Sequence, residues 1–314
     1  MKLPQVNRSS QLKIENNMPV AIYGETGLIG KSLKQQFQND CVDVLIRKWN
    51  REEMASSWKK LESTASESNS EIDLIWAAGS SNNASDESVI LKEEEIVDNF
   101  IQLVASSSIK LRTLNLVSSA GSIYAASNDV YITEDTIPKP NSVYGDSKLN
   151  IENKFQELSK SSNTSLNIYR LTNVFGHRTS IKTSSGLIPN LINANLTRQE
   201  INIFVPLFVE QDYIDTDFVA QNIYHNIIGS QTLSRKTYIY CRNQSNSIIE
   251  IVSLIDKFMG RKTPYVTSAI ASSSYRQNNL RFNVKFNDTN MIQINPINIS
   301  IKKLISEMVH AKIS

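Results

Sequence analysis

The sequence predicts an α/β fold: a doubly wound parallel sheet followed by a smaller C-terminal lobe. Three observations carry this expectation. From Met18 onward, short apolar runs rich in β-branched residues alternate with longer amphipathic stretches, the rhythm of βαβ units. A glycine-rich turn, Gly24-Glu25-Thr26-Gly27-Leu28-Ile29-Gly30, lies between the first apolar run and the first amphipathic stretch. After about residue 170 the regularity decays into loops and short elements, as expected of a lobe that closes over a site at the C-terminal edge of a sheet.

Strands are expected at 20–23, 42–46, 74–77, 114–117, 165–169 and 238–241, and helices at 28–37, 90–106 and 144–160. Parallel strands joined by crossover helices make a Rossmann-type sheet. The chain then divides into a polar tail over 1–17, a dinucleotide-binding domain over 18–170 and a substrate-binding lobe over 171–314. Within the last, 215–258 is expected to return to the Rossmann core, with Ile248, Ile251, Ile255 and Phe258 at helical spacing. The stretches 58–70 and 80–88, dominated by Ser, Asn, Lys and Glu, read as solvated helix faces and loops, and 268–279 as a surface loop.

Composition narrows the function. With 314 residues and 40% hydrophobic content, the chain can bury a sizeable core. Lys and Arg number 33 against 31 Asp and Glu, a formal charge of +2, with no basic stripe interleaved with aromatics, so nucleic acid is not the expected partner. Residues 1–17 contain no secretory apolar core, and nothing approaches the roughly 18 uninterrupted apolar residues of a membrane-spanning helix. The expected setting is the cytoplasm, with no membrane partner. Cys41 and Cys241 lie far apart in apolar runs, which suits buried thiols rather than a disulfide. Three scattered histidines and two distant cysteines offer no metal-ligand spacing, and no metal is expected.

In a strand-turn-helix setting, a glycine-rich turn lets a pyrophosphate approach backbone N–H groups and the helix N-terminus. Here Gly24 makes the turn, Gly27 the close approach and Gly30 the helix packing, with Thr26, Leu28 and Ile29 around them. Glu25 would repel a phosphate unless its carboxylate points away. The second strand runs into Arg47-Lys48 with no acid at its end. Cations there favour the 2'-phosphate of NADP(H), while NAD(H) stays possible because a solvated basic edge looks the same.

Ser118-Ser119-Ala120-Gly121-Ser122-Ile123-Tyr124 closes an apolar strand, and Tyr144-Gly145-Asp146-Ser147-Lys148 opens a helix after a Pro-containing loop. Spacing of four puts Tyr144 and Lys148 on one helix face. A phenol with an unperturbed pKa near 10 is a poor acid/base at neutral pH, but a neighbouring ammonium stabilises phenolate. Tyr144 can then exchange a proton with a hydroxyl or carbonyl that a serine from the strand end holds beside a nicotinamide.

Together these residues resemble the extended short-chain dehydrogenase/reductase family of nucleotide-sugar epimerases, dehydratases and reductases. The resemblance spans Val20 to the C-terminus. It takes in the three glycines, Trp76-Ala77-Ala78-Gly79, the Ser118 to Tyr124 segment, Tyr144 and Lys148, Arg170-Leu171-Thr172-Asn173-Val174-Phe175-Gly176 and Gln211-Asp212-Tyr213-Ile214-Asp215-Thr216-Asp217. It implies that Ala77, Ala78 and Gly79 line the cofactor site, that Asn173 contacts a nucleotide-sugar substrate, and that the protein is a homodimer.

The departures matter equally. Where the family often carries its catalytic Ser or Thr stands Ala120, so Ser119 or Ser122 must serve, and the reading leans to Ser122. Gln211 replaces an arginine that commonly meets the substrate pyrophosphate; Arg178, Lys182, Arg276 and Arg281 are the cations that would replace it. His177 is placed to line the substrate pocket or to serve as a structural histidine. The expected reaction is reduction of a 4-keto sugar nucleotide with Tyr144 as acid, with an NAD-dependent 4-epimerase as the alternative. Dehydration is disfavoured because Ala120-Gly121 stand where the dehydratases have an acid. Ala120, Glu25 and Gln211 also keep open an inactive cofactor-binding protein.

Overall fold

The computed structural model describes residues 18–176, 186–229, 233–267, 280–285 and 292–313. In chain order the first half runs β1 (Val20–Tyr23), α1 (Leu28–Phe37), β2 (Cys41–Val42), α2 (Arg51–Ser68), β3 (Ile72–Trp76), α3 (Glu87–Ala105), β4 (Leu111–Ser119), α4 (Ala120–Ile123), α5 (Val143–Ser161) and β5 (Ser165–Leu171). The second half runs β6 (Asn173–Phe175), α6 (Leu187–Thr197), β7 (Ile201–Ile203), β8 (Glu210–Asp215), α7 (Thr216–Ile228), β9 (Arg235–Tyr240), β10 (Ser245–Ser247), α8 (Ile248–Met259), β11 (Tyr265–Thr267) and α9 (Ile297–Ile313).

Strands β2-β1-β3-β4-β5-β9 form one sheet in that order, parallel throughout. The two strands that follow β1 lie on opposite sides of it, so the winding reverses there. That leaves a crevice beyond the C-terminal ends of β1 and β3, where Tyr23 pairs in register with Trp76. The strands are buried on both faces because helices cover both: α2, α3 and α5 on one, α1 and α7 on the other. On the first face Phe100 sits 4.4 Å from Trp76 and 4.8 Å from Tyr23, ring centroid to centroid.

The second strand is shorter than expected. Only Val20 and Ala21 of β1 find partners in it, and Val44 and Ile46 bury in the core beneath α2 without joining the ladder. The stretch read as solvated from residue 58 belongs largely to α2, whose Met54, Trp58 and Leu61 form a narrow buried stripe at helical spacing. Asn50 caps this helix by accepting the Glu53 N–H.

In the C-terminal lobe, α6, α8 and α9 enclose a second apolar cluster. The helix expected around Ile248 forms behind a Ser247/Glu250 capping box, but its stripe packs into this lobe, while α7 packs on the main sheet and β9 joins it. The lobe's short sheet, β10-β8-β6, carries the Asn173 and Gln211 segments. Both cysteines are free thiols, and burial pushes that of Cys41 up to about 11. Among the described residues no helix is long and apolar enough to cross a membrane.

Helix α5 is fastened to the sheet by a buried ion pair. Glu152 is fully buried and accepts hydrogen bonds from Arg170 Nη2 at 2.6 Å, Arg170 Nε at 3.0 Å and Ser118 Oγ at 2.6 Å. Removing one partner strands a buried charge. Glu152→Ala is therefore expected to cost about 3–5 kcal/mol, read by urea unfolding; a loss under about 1 kcal/mol, the size of an exposed pair, would contradict this account.

Candidate active site

The first part of the site is the crevice at the end of β1. Gly24 has φ +97°, and its carbonyl accepts the Gly27 N–H at 2.9 Å. A Cβ on Gly24 would lie 2.6 Å from the backbone of Ala77 and Ala78, and one on Gly30 would lie 2.1 Å from the Gly24 carbonyl oxygen. Turn, helix and the loop after β3 thus meet at a distance only bare backbone permits. They border a cavity of about 740 Å³ lined by Gly24, Thr26, Gly27, Ala77, Ala78 and Gly79. Gly27 is the N-cap of α1, and Leu28 and Ile29 form its first turn, so the helix begins at the cavity wall. Glu25 is held by Lys34 of α1 at 2.8 Å and does not line the cavity, which removes the expected clash with a phosphate.

In the segment that follows β2, the side chains of Arg47 and Lys48 are exposed, and it is the next residue, Trp49, that lines the cavity. The backbone N–H groups of Arg47 and Lys48 donate to one carboxylate oxygen of Glu53, at 2.8 and 2.7 Å. Those two bonds, from Lys48 and then Arg47, hold Glu53 below the usual carboxylate range. The strand end that shows only cations in sequence therefore has an acid in space, delivered from the first turn of α2.

The second part is the start of α5. Ser142 caps the helix by accepting the Gly145 N–H at 3.1 Å, which puts Tyr144 in the first turn and Lys148 one turn on. Lys148 Nζ lies 5.3 Å from the centre of the Tyr144 ring. Burial raises the Tyr144 pKa; Lys148 opposes that rise, Glu93 adds to it, and a hydrogen bond with Ser119 opposes it. Burial works against the Lys148 ammonium, but Tyr144 and Glu93 outweigh it, and its pKa stands above the ordinary lysine value.

The serines at the end of β4 separate into distinct roles. Ser118 faces Glu152, Ser119 meets the Tyr144 hydroxyl, and the buried Ser122 donates to Ser119 Oγ at 2.8 Å. Ala120 packs among Tyr124, Ile239 and Phe282 in an apolar cluster. Ser119 and Ser122 also line a smaller cavity of about 80 Å³ with Asn173 and Gln211, so these four expected site residues converge. Asn173 Nδ2 donates to the Asp212 carbonyl at 3.0 Å, and Gln211 Oε1 accepts from the Tyr213 hydroxyl at 3.2 Å. Arg281 pairs with Glu210 at 3.0 Å. His177, Arg178, Lys182 and Arg276 lie outside the described residues. Among the described residues no cluster of His, Cys, Asp and Glu suits a metal.

One charged residue of the site is masked in the sequence by its neighbours. Glu93 of α3 is 5% exposed, lines the large cavity and holds Lys148 Nζ at 2.5 Å. Its signal was present: Ile90, Glu93, Val97, Phe100 and Val104 are the buried positions of α3, at alternating spacings of three and four, so a carboxylate stands in a core stripe. The flanking Lys92, Glu94 and Glu95 disguise it as part of a solvated charge run.

With this geometry in view, the family model for the NAD-dependent epimerase/dehydratase family matches residues 20–227. The chain belongs to that family. Its enzymes are nucleotide-sugar epimerases and reductases of the extended short-chain dehydrogenase/reductase type, and they use a nicotinamide cofactor. A dTDP-L-rhamnose 4-epimerase of Burkholderia thailandensis is 27% identical over 142 residues, which spans 45% of this chain and 39% of that protein. The fold is shared with the UDP-glucose 4-epimerase of Thermotoga maritima, solved with UDP-glucose: TM-score 0.74 at 15% identity, covering 94% of this chain and 100% of the other. It is shared too with RMD of Pseudomonas aeruginosa, solved with NADPH: TM-score 0.70 at 17% identity, covering 92% and 98%.

The tight crossing at the crevice gives a direct test. Gly24→Ala combines a left-handed backbone with a 2.6 Å clash. It should lower thermal stability by at least about 1–3 kcal/mol and weaken nicotinamide-nucleotide binding together, measured by melting with and without NAD. Unchanged melting and binding would contradict the cradle.

Proposed function

We propose that the protein is an NAD-dependent nucleotide-sugar 4-epimerase. The observation that carries this is the linkage of Tyr144 to both cavities: Ser119, which meets its hydroxyl, lines the smaller cavity with Asn173 and Gln211, and Lys148, which faces its ring, is held by Glu93 of the larger cavity. Gly24, Thr26, Gly27, Leu28, Ile29 and Gly30 hold the pyrophosphate side of the cofactor, with Ala77, Ala78 and Gly79 opposite. When bound, the nicotinamide supplies the acceptor and donor of a hydride.

The chain's own residues manage the proton and the oxygen. Once it has released its own proton, Tyr144 as phenolate takes the proton of a sugar hydroxyl while that carbon is oxidised to a carbonyl, and the phenol so formed returns the proton when the carbonyl is reduced. Ser119 hydrogen-bonds the same oxygen, and Ser122 fixes the direction of the Ser119 hydroxyl. Ala120 needs no hydroxyl, because its side chain belongs to the apolar cluster behind the site. Lys148 faces the phenol and counters the effect of its burial. Asn173 and Gln211 receive the substrate through uncharged amides.

The choice of NAD rests on Glu53. A carboxylate already hydrogen-bonded to the amides of Arg47 and Lys48, between β2 and α2, suits the acceptor role toward a ribose diol and repels a 2'-phosphate. An epimerase recycles its cofactor, so the two assignments support each other. The exposed Arg47 and Lys48 favour a second reading, an NADP(H)-dependent reductase of a 4-keto sugar nucleotide. Nucleotide released on denaturing the purified protein separates them: retained NAD supports the epimerase, and an empty protein preferring NADPH supports the reductase.

Tyr144→Phe should reduce interconversion of nucleotide-sugar epimers by about 10²–10⁴-fold while leaving NAD affinity nearly unchanged, as measured by chromatography of the sugar nucleotides and by fluorescence titration. Turnover comparable to wild type would end the proposed mechanism. Glu53→Gln should raise the NADP-to-NAD affinity ratio by about 5–10-fold, the effect of removing one exposed charge at contact distance; an unchanged ratio would show that Glu53 does not select the cofactor.

A further inference from the structure

Lys148 is not free to act on Tyr144 alone. Its Nζ is held at 2.5 Å by Oε1 of Glu93, which reaches across from α3. The other oxygen of the same carboxylate accepts the N–H of Ser80 at 2.9 Å, the N–H of Ser81 at 2.9 Å and the hydroxyl of Ser81 at 2.8 Å. Those serines belong to the turn that follows β3, in direct continuation of the Ala77–Gly79 wall of the cavity. A side chain at Gly79 would begin 3.2 Å from Glu93 Oε1 and 3.4 Å from Lys148 Nζ, so the pair is seated against bare backbone.

We infer that Glu93 is a positioning residue of the active site: its single carboxylate fastens Lys148 to the Ser80–Ser81 turn and offsets the positive charge that faces Tyr144. The first half of this is geometric. Four hydrogen bonds converge on one buried group, more than a helix surface glutamate needs, and they join the cofactor wall to the helix that carries the acid/base. The second half is electrostatic. Among the described residues the charged groups acting on Tyr144 are Lys148 from its own helix and Glu93 from α3, with the neutral Ser119 hydroxyl from the end of β4. The Glu93 carboxylate offsets part of what the Lys148 ammonium does at the phenol, and burial, the largest influence, leaves the Tyr144 pKa raised, so in the resting enzyme Tyr144 stays protonated.

The sign follows for Glu93 as well. Burial alone would raise its pKa, but Lys148 and the serine donors outweigh burial and hold it below the usual carboxylate range. Its contribution to stability is thus present above the unfolded carboxylate pKa and lost as pH falls through the folded one. The pair is intact at neutral pH, where the reaction would run.

The inference rests on Tyr144 as the proposed acid/base for its consequence, but its test does not need turnover. Ionisation of Tyr144 in the cofactor-free protein is read as the tyrosinate absorbance of wild type minus that of Tyr144→Phe, across pH, and the same difference is taken in a Glu93→Gln background. Glutamine keeps the shape and an acceptor for the serine N–H groups while removing the charge. The expected result is that the Tyr144 signal appears at least about one pH unit lower with Glu93→Gln. A merely structural glutamate would alter the melting temperature and leave this titration in place, and that outcome would overturn the inference. If Glu93→Gln does not fold, Glu93→Asp keeps the carboxylate but draws it back from Nζ; it should move the titration the same way by less, and no movement would again overturn the inference. A titration that stays put while Tyr144→Phe is inactive defeats the role of Glu93 alone, whereas an active Tyr144→Phe defeats the proposed function alone.

Discussion

The carboxylate of Glu152 is the point on which the site depends. It is buried without solvent, and such a charge is tolerable only when its lone pairs are met. Arg170 of β5 meets them side-on, Ser118 at the end of β4 adds a further donor, and the same guanidinium passes on to the hydroxyl of Tyr124 at 2.5 Å. Four segments are therefore locked in mutual register: β4, the short α4 that Tyr124 caps, β5 and α5. Tyr144, Lys148 and Glu152 follow one another at intervals of four along α5, so anchoring the third sets the height and rotation of the first two. Ser119 and Ser122 follow directly on the anchored Ser118.

The crevice is shaped by a different constraint, the near contact of backbones at the reversal of the sheet. Gly24 and Ala77 open the loops after the two adjacent strands, and no side chain fits between them. The helices that follow bring carboxylates to the loops around this space. Helix α2 delivers Glu53 beneath the amides after β2, and α3 delivers Glu93 to Lys148. Both carboxylates act through backbone N–H groups as well as through charge, which makes each an anchor for the loop it touches.

Much of this architecture could be read from the chain. The first helix falls on the expected residues because its apolar positions, its glycine start and its polar face all agree. The strands were locatable wherever β-branched runs are buried on both faces. The second strand was overestimated, since Val44 and Ile46 alternate like strand residues but bury into the core without a ladder partner. Helix α2 is partly hidden because three buried apolar residues in a polar segment make a narrow stripe. Tyr144 and Lys148 were legible as a pair because helix geometry alone brings residues four apart together. The division of labour among Ser118, Ser119 and Ser122 was not, because it depends on the four-residue helix that turns Ser122 back toward Ser119.

The sequence by itself determined the alternation of strands and helices, the glycine turn that opens the crevice and the Tyr144/Lys148 pair, because each follows from local periodicity or from backbone freedom over a few residues. The tertiary structure decided which distant charges meet. Lys148 finds Glu93 across 55 positions, and Arg170 finds Glu152 across 18. Such meetings are set by helices crossing over a shared sheet, and no spacing along one segment encodes them. A charge in an apolar stripe announces that a partner exists; only the packed fold identifies it.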